Sequence, residues 1–364
     1  MRATRFLSWG YNRVLKPYFF KRDAEKVHDA MLRFGRFLGS NPITRSLVRW
    51  FFVYQDSVLE QHLVGLNFSN PVGLPGGFDK NARLWKILPA VGFGFIELGS
   101  ITAKPSKGNP RPRLARWPEG KSLVVNYGLS NDGVEEIAKR LPTKPISVPL
   151  GLNIAFTNSR KIATCNDAIA DYLTSLKQLE HFGDYYTINV SCPNRLSDHL
   201  FIDPTNLEAL LTGTDWLGVT KPIFLKLSPD LTEEELEEIV QVVERHHVTG
   251  FVISNLTKNR ARLPESDGLP AGGLSGKPVS FLADKQIRWF YKRFGKKYII
   301  IGSGGIFNAW DAYRKIKLGA SLVQVFTGMI YAGPQRIGEI NRDLAKLLRR
   351  DGYQSISEAV GVEA

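Results

Sequence analysis

Sulfur is scarce in this chain: two cysteines and three methionines among 364 residues. Cys165 and Cys192 are too few for a disulfide scaffold and form no C-x-x-C pair that would hold zinc or an iron–sulfur cluster. That usage points to a reducing, intracellular compartment. Long apolar runs are missing as well. Arg5, Arg13, Lys16 and Lys21 interrupt the N-terminal segment every few residues, which excludes a cleaved secretory signal and a spanning helix there.

What is present is positive charge, unevenly spread. The net charge is +13, and residues 1–50 hold eleven Lys/Arg against Asp23, Glu25 and Asp29. Phe6, Trp9, Tyr11, Leu15, Tyr18 and Phe20 are interleaved with these cations. A helix is expected from Asp23, with Ala24, Val27, Met31, Phe34 and Leu38 on one stripe, and Ile43 to Tyr54 forms a further apolar block. Basic, amphipathic helices of this kind fit lying in a membrane interface; a helical cap packed on the main domain is the alternative. A nucleic-acid module is disfavoured, because the charge sits on an apolar arm and no nucleic-acid motif accompanies it.

From residue 65 the pattern changes to short, continuously apolar runs separated by helical stretches. The runs occupy 71–77, 93–100, 146–154, 185–192, 223–228, 250–255, 299–305 and 322–328. Runs apolar on both faces are parallel strands buried on both sides, and eight of them close most simply into a (β/α)8 TIM barrel, with an open doubly wound sheet as the alternative. The intervening helices carry their own signals. Thr232 and Glu235 form a capping box ahead of the stripe Leu236, Ile239, Val240 and Val243. The expected organisation is an N-terminal amphipathic extension over 1–64, the barrel over 65–352 and a tail over 353–364.

Barrel chemistry collects at the C-terminal strand ends, and here those ends are polar or glycine. They include the GGFDK stretch at 76–80, Ser100, Asn153, the NVSCPN stretch at 189–194, Lys226, Ser254 with Asn255, and Gly305. The glycine-rich loop at 301–306 and the FTG stretch at 326–328 follow the seventh and eighth runs, where barrels commonly hold a phosphate on backbone N–H groups. No inward pair of carboxylates suits glycoside hydrolysis, and no His/Cys/Asp cluster suits a metal. Several amides, a lysine and one weak acid suit a ring with amide edges, oriented against a redox cofactor. Schiff-base chemistry at Lys80 or Lys226, on a phosphosugar, is the rival reading.

Collinear motifs sharpen this. NPVGLPGGFDKN at 70–81, GFGFIELGSITAKPSKGNPRPRL at 92–114, NVSCPN at 189–194, LKLSPDLTEEEL at 225–236, AGGLSGKPV at 271–279, and SLVQVFTGMIYAGP at 321–334 resemble the dihydroorotate dehydrogenases over roughly residues 15–350. DAEKVHDAML at 23–32 resembles the extension of their membrane-associated, quinone-dependent class. The resemblance implies an FMN enzyme of pyrimidine synthesis that oxidises dihydroorotate to orotate, peripheral to a membrane. It implies flavin contacts at Gly76, Gly77, Lys80, Ser100, Asn153, Asn189, Lys226, Ser254, Gly276, Gly305, Phe326 and Thr327. Substrate contacts are implied at Lys80, Asn189, Asn194 and Asn255, with the loop Asn126, Tyr127, Gly128 and Leu129 beside them. Quinone would meet His28 and Arg113.

By the same resemblance Cys192 is the base that takes the C5 proton while hydride leaves for flavin N5. Here the chain departs from the quinone class, which generally carries serine at that position. Two further departures lie nearby. Without a gap, Val125 occupies the position of the family's substrate asparagine, and Leu256 that of its threonine. The segments 194–205 and 256–275 are long enough to cover the site, and the C-terminal residues 354–364 carry no recognisable chemistry.

Overall fold

The computed structural model describes residues 2–191, 200–260 and 268–364. Each of the eight apolar runs forms a strand: β1 Val72–Leu74, β2 Phe95–Ile101, β3 Leu150–Ile154, β4 Tyr185–Asn189, β5 Ile223–Leu227, β6 Gly250–Ile253, β7 Ile299–Ser303 and β8 Leu322–Gln324. They pair in parallel, each with the next, and β8 returns to β1 to close the barrel. The open-sheet alternative is thereby excluded. Closure removes every sheet edge, so each apolar residue finds either the barrel interior or the helical ring. The expected capping box is formed: Thr232 N–H donates to Glu235 Oε2 at 2.8 Å and Glu235 N–H to Thr232 Oγ1 at 3.2 Å.

A hairpin of Gln61–Leu63 and Leu66–Phe68 accompanies the N-terminal end of the barrel. Its Phe68 packs in one cluster with Phe95, Tyr185, Phe224, Val252, Ile301 and Leu322. The Phe68 and Phe95 rings meet edge to face with centroids 5.6 Å apart. Phe95 also explains Gly73, since a Cβ there would lie 2.3 Å from the Phe95 ring. The barrel is stoppered at this end by aromatic rings. Phe95→Ala is expected to lower the unfolding free energy by about 3–5 kcal/mol, measured by denaturant titration with the m-value unchanged.

The N-terminal residues form helices α1 Arg2–Gly10, α2 Lys16–Phe20, α3 Ala24–Ser40 and α4 Pro42–Phe52, with a π-helical turn at Tyr11–Leu15 joining the first two. Asp23 caps α3 by accepting from Lys26 N–H at 2.8 Å, and Asn41 caps α4 by accepting from Ile43 N–H at 2.8 Å. The extension is docked: Tyr11 Oη donates to Ile330 O at 2.6 Å and Ser8 Oγ to Glu339 Oε1 at 2.5 Å. Its outer face is nonetheless apolar, with Phe6, Trp9, Phe37, Ile43 and Trp50 each more than half exposed. No helix among the described residues is long and apolar enough to cross a membrane.

Over the C-terminal barrel mouth lies a feature the sequence did not announce, a three-stranded antiparallel sheet of Leu114–Trp117, Ser122–Val125 and Gly273–Leu274. At the other extreme of the chain, Ile356 and Ala359 are fully buried, and Glu363 N–H donates to Lys317 O at 2.8 Å.

Candidate active site

A cavity of 740 Å³ runs from the strand ends of the barrel, beneath the covering sheet, to the inner faces of the N-terminal helices. That volume is ordinary for a ligand site. At its barrel end it is lined by Gly76, Gly77, Lys80, Ser100, Asn189, Lys226, Ser254, Asn255, Gly276, Gly305, Phe326 and Thr327. All the implied flavin positions except Asn153 thus meet in one wall. Asn153 stands directly behind it, accepting from Ser100 Oγ through Oδ1, while Asn189 Nδ2 donates to the same Ser100 Oγ at 3.0 Å.

Beneath these amides, inside the barrel, Glu97 is wholly buried. Its carboxylate accepts from Gly76 N–H at 3.1 Å, Asn153 Nδ2 at 2.8 Å, Thr187 Oγ1 at 2.9 Å and Gln324 Nε2 at 3.1 Å. Sequence reading missed this residue, because a glutamate in mid-strand carries no motif. Burial of a carboxylate in a barrel core is tolerated only with such a donor set, so the apolar surroundings of Glu97 were the available signal.

The glycine pattern matches a nucleotide cofactor. Gly304 and Gly305 follow β7 with φ of +105° and +76°, and Gly276, at +73°, precedes the helix Lys277–Phe294. A Cβ on Gly305 would lie 2.4 Å from Ser280 and one on Gly276 2.3 Å from Lys121 O, so only glycine lets these loops close. Gly77 differs. Its φ is +107° and a Cβ there would meet nothing within 4 Å, so a side chain would project into the open cavity it lines. Gln324, which also lines the cavity, leaves its buried Oε1 without a partner among the described residues. Backbone cradle, the open space beside Gly77 and amide edges together fit FMN.

Of the implied substrate residues, Lys80, Tyr127, Gly128, Leu129, Asn189 and Asn255 line the cavity. Asn255 is oriented by donating from Nδ2 to Ser191 O at 3.0 Å while its Oδ1 accepts Leu256 N–H at 2.9 Å. Cys192 and Asn194 lie outside the described residues. Asn126 does not face the cavity: its Oδ1 accepts from Asn109 Nδ2 at 2.8 Å, and Val125 takes the place on the wall. Lys80 Nζ sits 3.8 Å from the Tyr127 ring centroid. Burial, then repulsion by Arg113, bring its ammonium down to about 8.

At the helical end His28 lines the cavity and Arg113 does not. Arg113 turns away to Glu25 Oε1 at 2.8 Å, and Arg116 lines the cavity instead, with Nη1 donating to Arg22 O at 2.7 Å. Burial, with Lys80 nearby, lowers the His28 imidazole to about 3, so it is neutral at physiological pH. Its ring meets Phe78 edge to face at 5.2 Å, and Phe78 meets Phe326 at 5.4 Å. One line of rings joins helix α3 to the cradle.

Residues 58–348 match the family model described as dihydroorotate dehydrogenase. The chain is 39% identical over 355 residues to the dihydroorotate dehydrogenase (quinone) of Natronomonas pharaonis, covering 97% of this chain and 99% of that one. It is 36% identical over 354 residues to the enzyme of the same description from Roseiflexus sp. (strain RS-1), covering 96% and 97%. The ligand-free structure of the Eimeria tenella enzyme superposes with a TM-score of 0.85 at 30% identity, over 94% of this chain and 99% of that one. With the barrel, the cradle and the extension in agreement with these matches over nearly the whole length, the chain belongs to the dihydroorotate dehydrogenase family.

Proposed function

We infer that this chain oxidises dihydroorotate to orotate in pyrimidine synthesis, with FMN bound in the barrel mouth and a quinone as the electron acceptor. The observation that carries the reading is the single cavity, in which a buried lysine and amides at one end are continuous with apolar helices at the other. Family membership sets aside the phosphosugar alternative. Lys80 holds the substrate carboxylate, and Asn189 and Asn255 orient the ring through its amide edges. Cys192, the residue after Ser191 in the sequence, takes the C5 proton. Bound FMN supplies the two-electron acceptor for the hydride from C6.

The quinone enters among α1 to α4, where Val27, Met31 and Leu38 form an apolar wall ending at His28 and Arg116. Neutral His28 can donate or accept a hydrogen bond there without a charge to desolvate. The exposed aromatic face of the extension, with its basic rim, lies against the membrane that holds the quinone. Val27→Trp places an indole in that wall and is expected to lower quinone turnover about tenfold or more, while flavin reduction by dihydroorotate stays within about twofold of the parent. Equal losses in both half-reactions would remove quinone from this end of the cavity.

Anaerobic mixing of the FMN-loaded protein with dihydroorotate tests the whole reading, by following the flavin absorbance. Rapid bleaching is expected. A second reading is favoured by Val125 and Leu256 on the cavity wall: the same chemistry on another dihydropyrimidine. A flavin that chemical reductant bleaches and dihydroorotate does not would establish it.

A further inference from the structure

Cations converge on a single ring above the substrate lysine. Lys80 Nζ lies over Tyr127 at 3.8 Å, and the Arg113 guanidinium carbon lies over the same ring at 5.1 Å. Arg113 is nearly buried, and its Nε and Nη2 both reach Glu25 Oε1 at 2.8 Å, while Nη1 donates to Lys107 O at 2.7 Å. Glu25 belongs to helix α3, in the extension, and is itself buried, with Arg111 Nε adding a contact at 3.1 Å. A buried carboxylate facing two arginines is costly to bring out of water, so its presence fixes a charge where the fold needs one.

We propose that Glu25 is a positioning residue for the substrate site: through Arg113 and the Tyr127 ring, this residue of the N-terminal helices sets how firmly Lys80 holds an anionic substrate. The inference rests on the functional reading above, and it gives the extension a role in the first half-reaction besides forming the quinone wall.

The sign follows from the groups that face Lys80. On its own loop Asp79 attracts the proton, with its carboxylate already accepting Arg83 and Leu84 N–H. From the covering sheet Arg113 repels it, and from α3 Glu25 and Asp29 attract it. His28, also on α3, is held neutral at about 3, and burial pushes the Tyr127 phenol up, so neither contributes charge near neutrality. With Lys80 brought down to about 8, the ammonium that captures an anion is close to losing its proton in the working range. Neutralising Glu25 leaves Arg113 uncompensated beside Lys80. The proton is then lost at lower pH, and anion capture with it.

The test is calorimetric titration of orotate into the full-length, FMN-loaded protein from about pH 6 to about pH 10, for the parent, Glu25→Gln, Arg113→Gln and the double variant. In the parent, binding is expected to weaken as pH rises through about 8. In Glu25→Gln the midpoint falls by about one pH unit, so the Kd is about tenfold weaker at pH above both midpoints. Arg113→Gln moves the midpoint upward, and the double variant returns it to the parent value. The flavin reduction rate at saturating dihydroorotate stays unchanged in Glu25→Gln. Parent protein that binds no orotate would overturn the functional reading itself. Parent protein that binds, alongside variants whose midpoints all coincide with it, overturns the role of Glu25 alone. Should Glu25→Gln lose its flavin, the upward shift in Arg113→Gln still decides the matter, and its absence sinks the proposal.

Discussion

Cys192→Ala is expected to retain FMN and to be reduced by dihydroorotate about 10²–10⁴-fold more slowly than the parent. A general base contributes that much when it is placed within reach of the proton it removes, and the chain leading to Cys192 is well placed. β4 delivers Asn189 to the cavity, and Ser191 Oγ donates to Asn189 Oδ1 at 3.4 Å while accepting from Asn255 Nδ2 at 3.1 Å. Ser191 is thus held at a junction with Asn189 and Asn255, and Cys192 is the next residue in the sequence. A thiol, with a reference value of about 8.5, is a far better base near neutrality than a hydroxyl. Parent reduction should accelerate as pH rises through the thiol range, because the thiolate is the active form, and the alanine variant should lose that limb. Stopped-flow reduction under anaerobic conditions measures both quantities. A variant that reduces at the parent rate removes Cys192 from the mechanism.

Gly77→Val is expected to give a folded but colourless protein, with FMN affinity lowered by about hundredfold or more. Two costs combine at this position. The backbone φ of +107° lies where a β-branched residue is strongly disfavoured, and a Cβ would project into open cavity, with nothing within 4 Å. Strain of about 1–3 kcal/mol falls on the fold, and the volume of the side chain falls on the cofactor. Flavin content after purification and re-titration with FMN read the effect, with thermal unfolding as the control for folding. Full flavin occupancy would mean that Gly77 faces solvent and that the cofactor lies elsewhere in the cavity.

These expectations depend on how far residues can be placed from sequence, and here the limits are specific. All eight barrel strands were legible, because a strand buried on both faces has no polar alternation to blur its ends. The helix from Asp23 was equally clear from its apolar stripe. Arg113 and Asn126 were misplaced for one shared reason. In the covering sheet Leu114 pairs with Val125 and Arg116 with Leu123, and those four side chains line the cavity. Side chains alternate along a strand, so Arg113 and Asn126, just beyond the paired ends and joined by the Asn126 N–H to Arg113 O bond of 2.8 Å, fall at the alternate parity, where Arg113 meets Glu25 and Asn126 meets Asn109. The parity was available in the sequence once the segment is known to be a hairpin. The sheet itself was hidden, because its third strand, Gly273–Leu274, comes from 150 positions away and is two residues long. Cys192 and Asn194 keep only their sequence argument.

Glu97 carries a consequence for motion. Carried on β2, its carboxylate joins the loop after β1 and side chains of β3, β4 and β8, so five of the barrel's staves meet at one buried carboxylate. Sliding any of them breaks a hydrogen bond to a carboxylate that is wholly buried. The barrel side of the cavity is thus a stiff reference plane. Adaptation to ligands of different shape falls to the covering sheet and to α3, and substitutions that alter ligand preference by flexibility have their scope there, while those that alter Glu97 or its donors are read first as a loss of order in the floor.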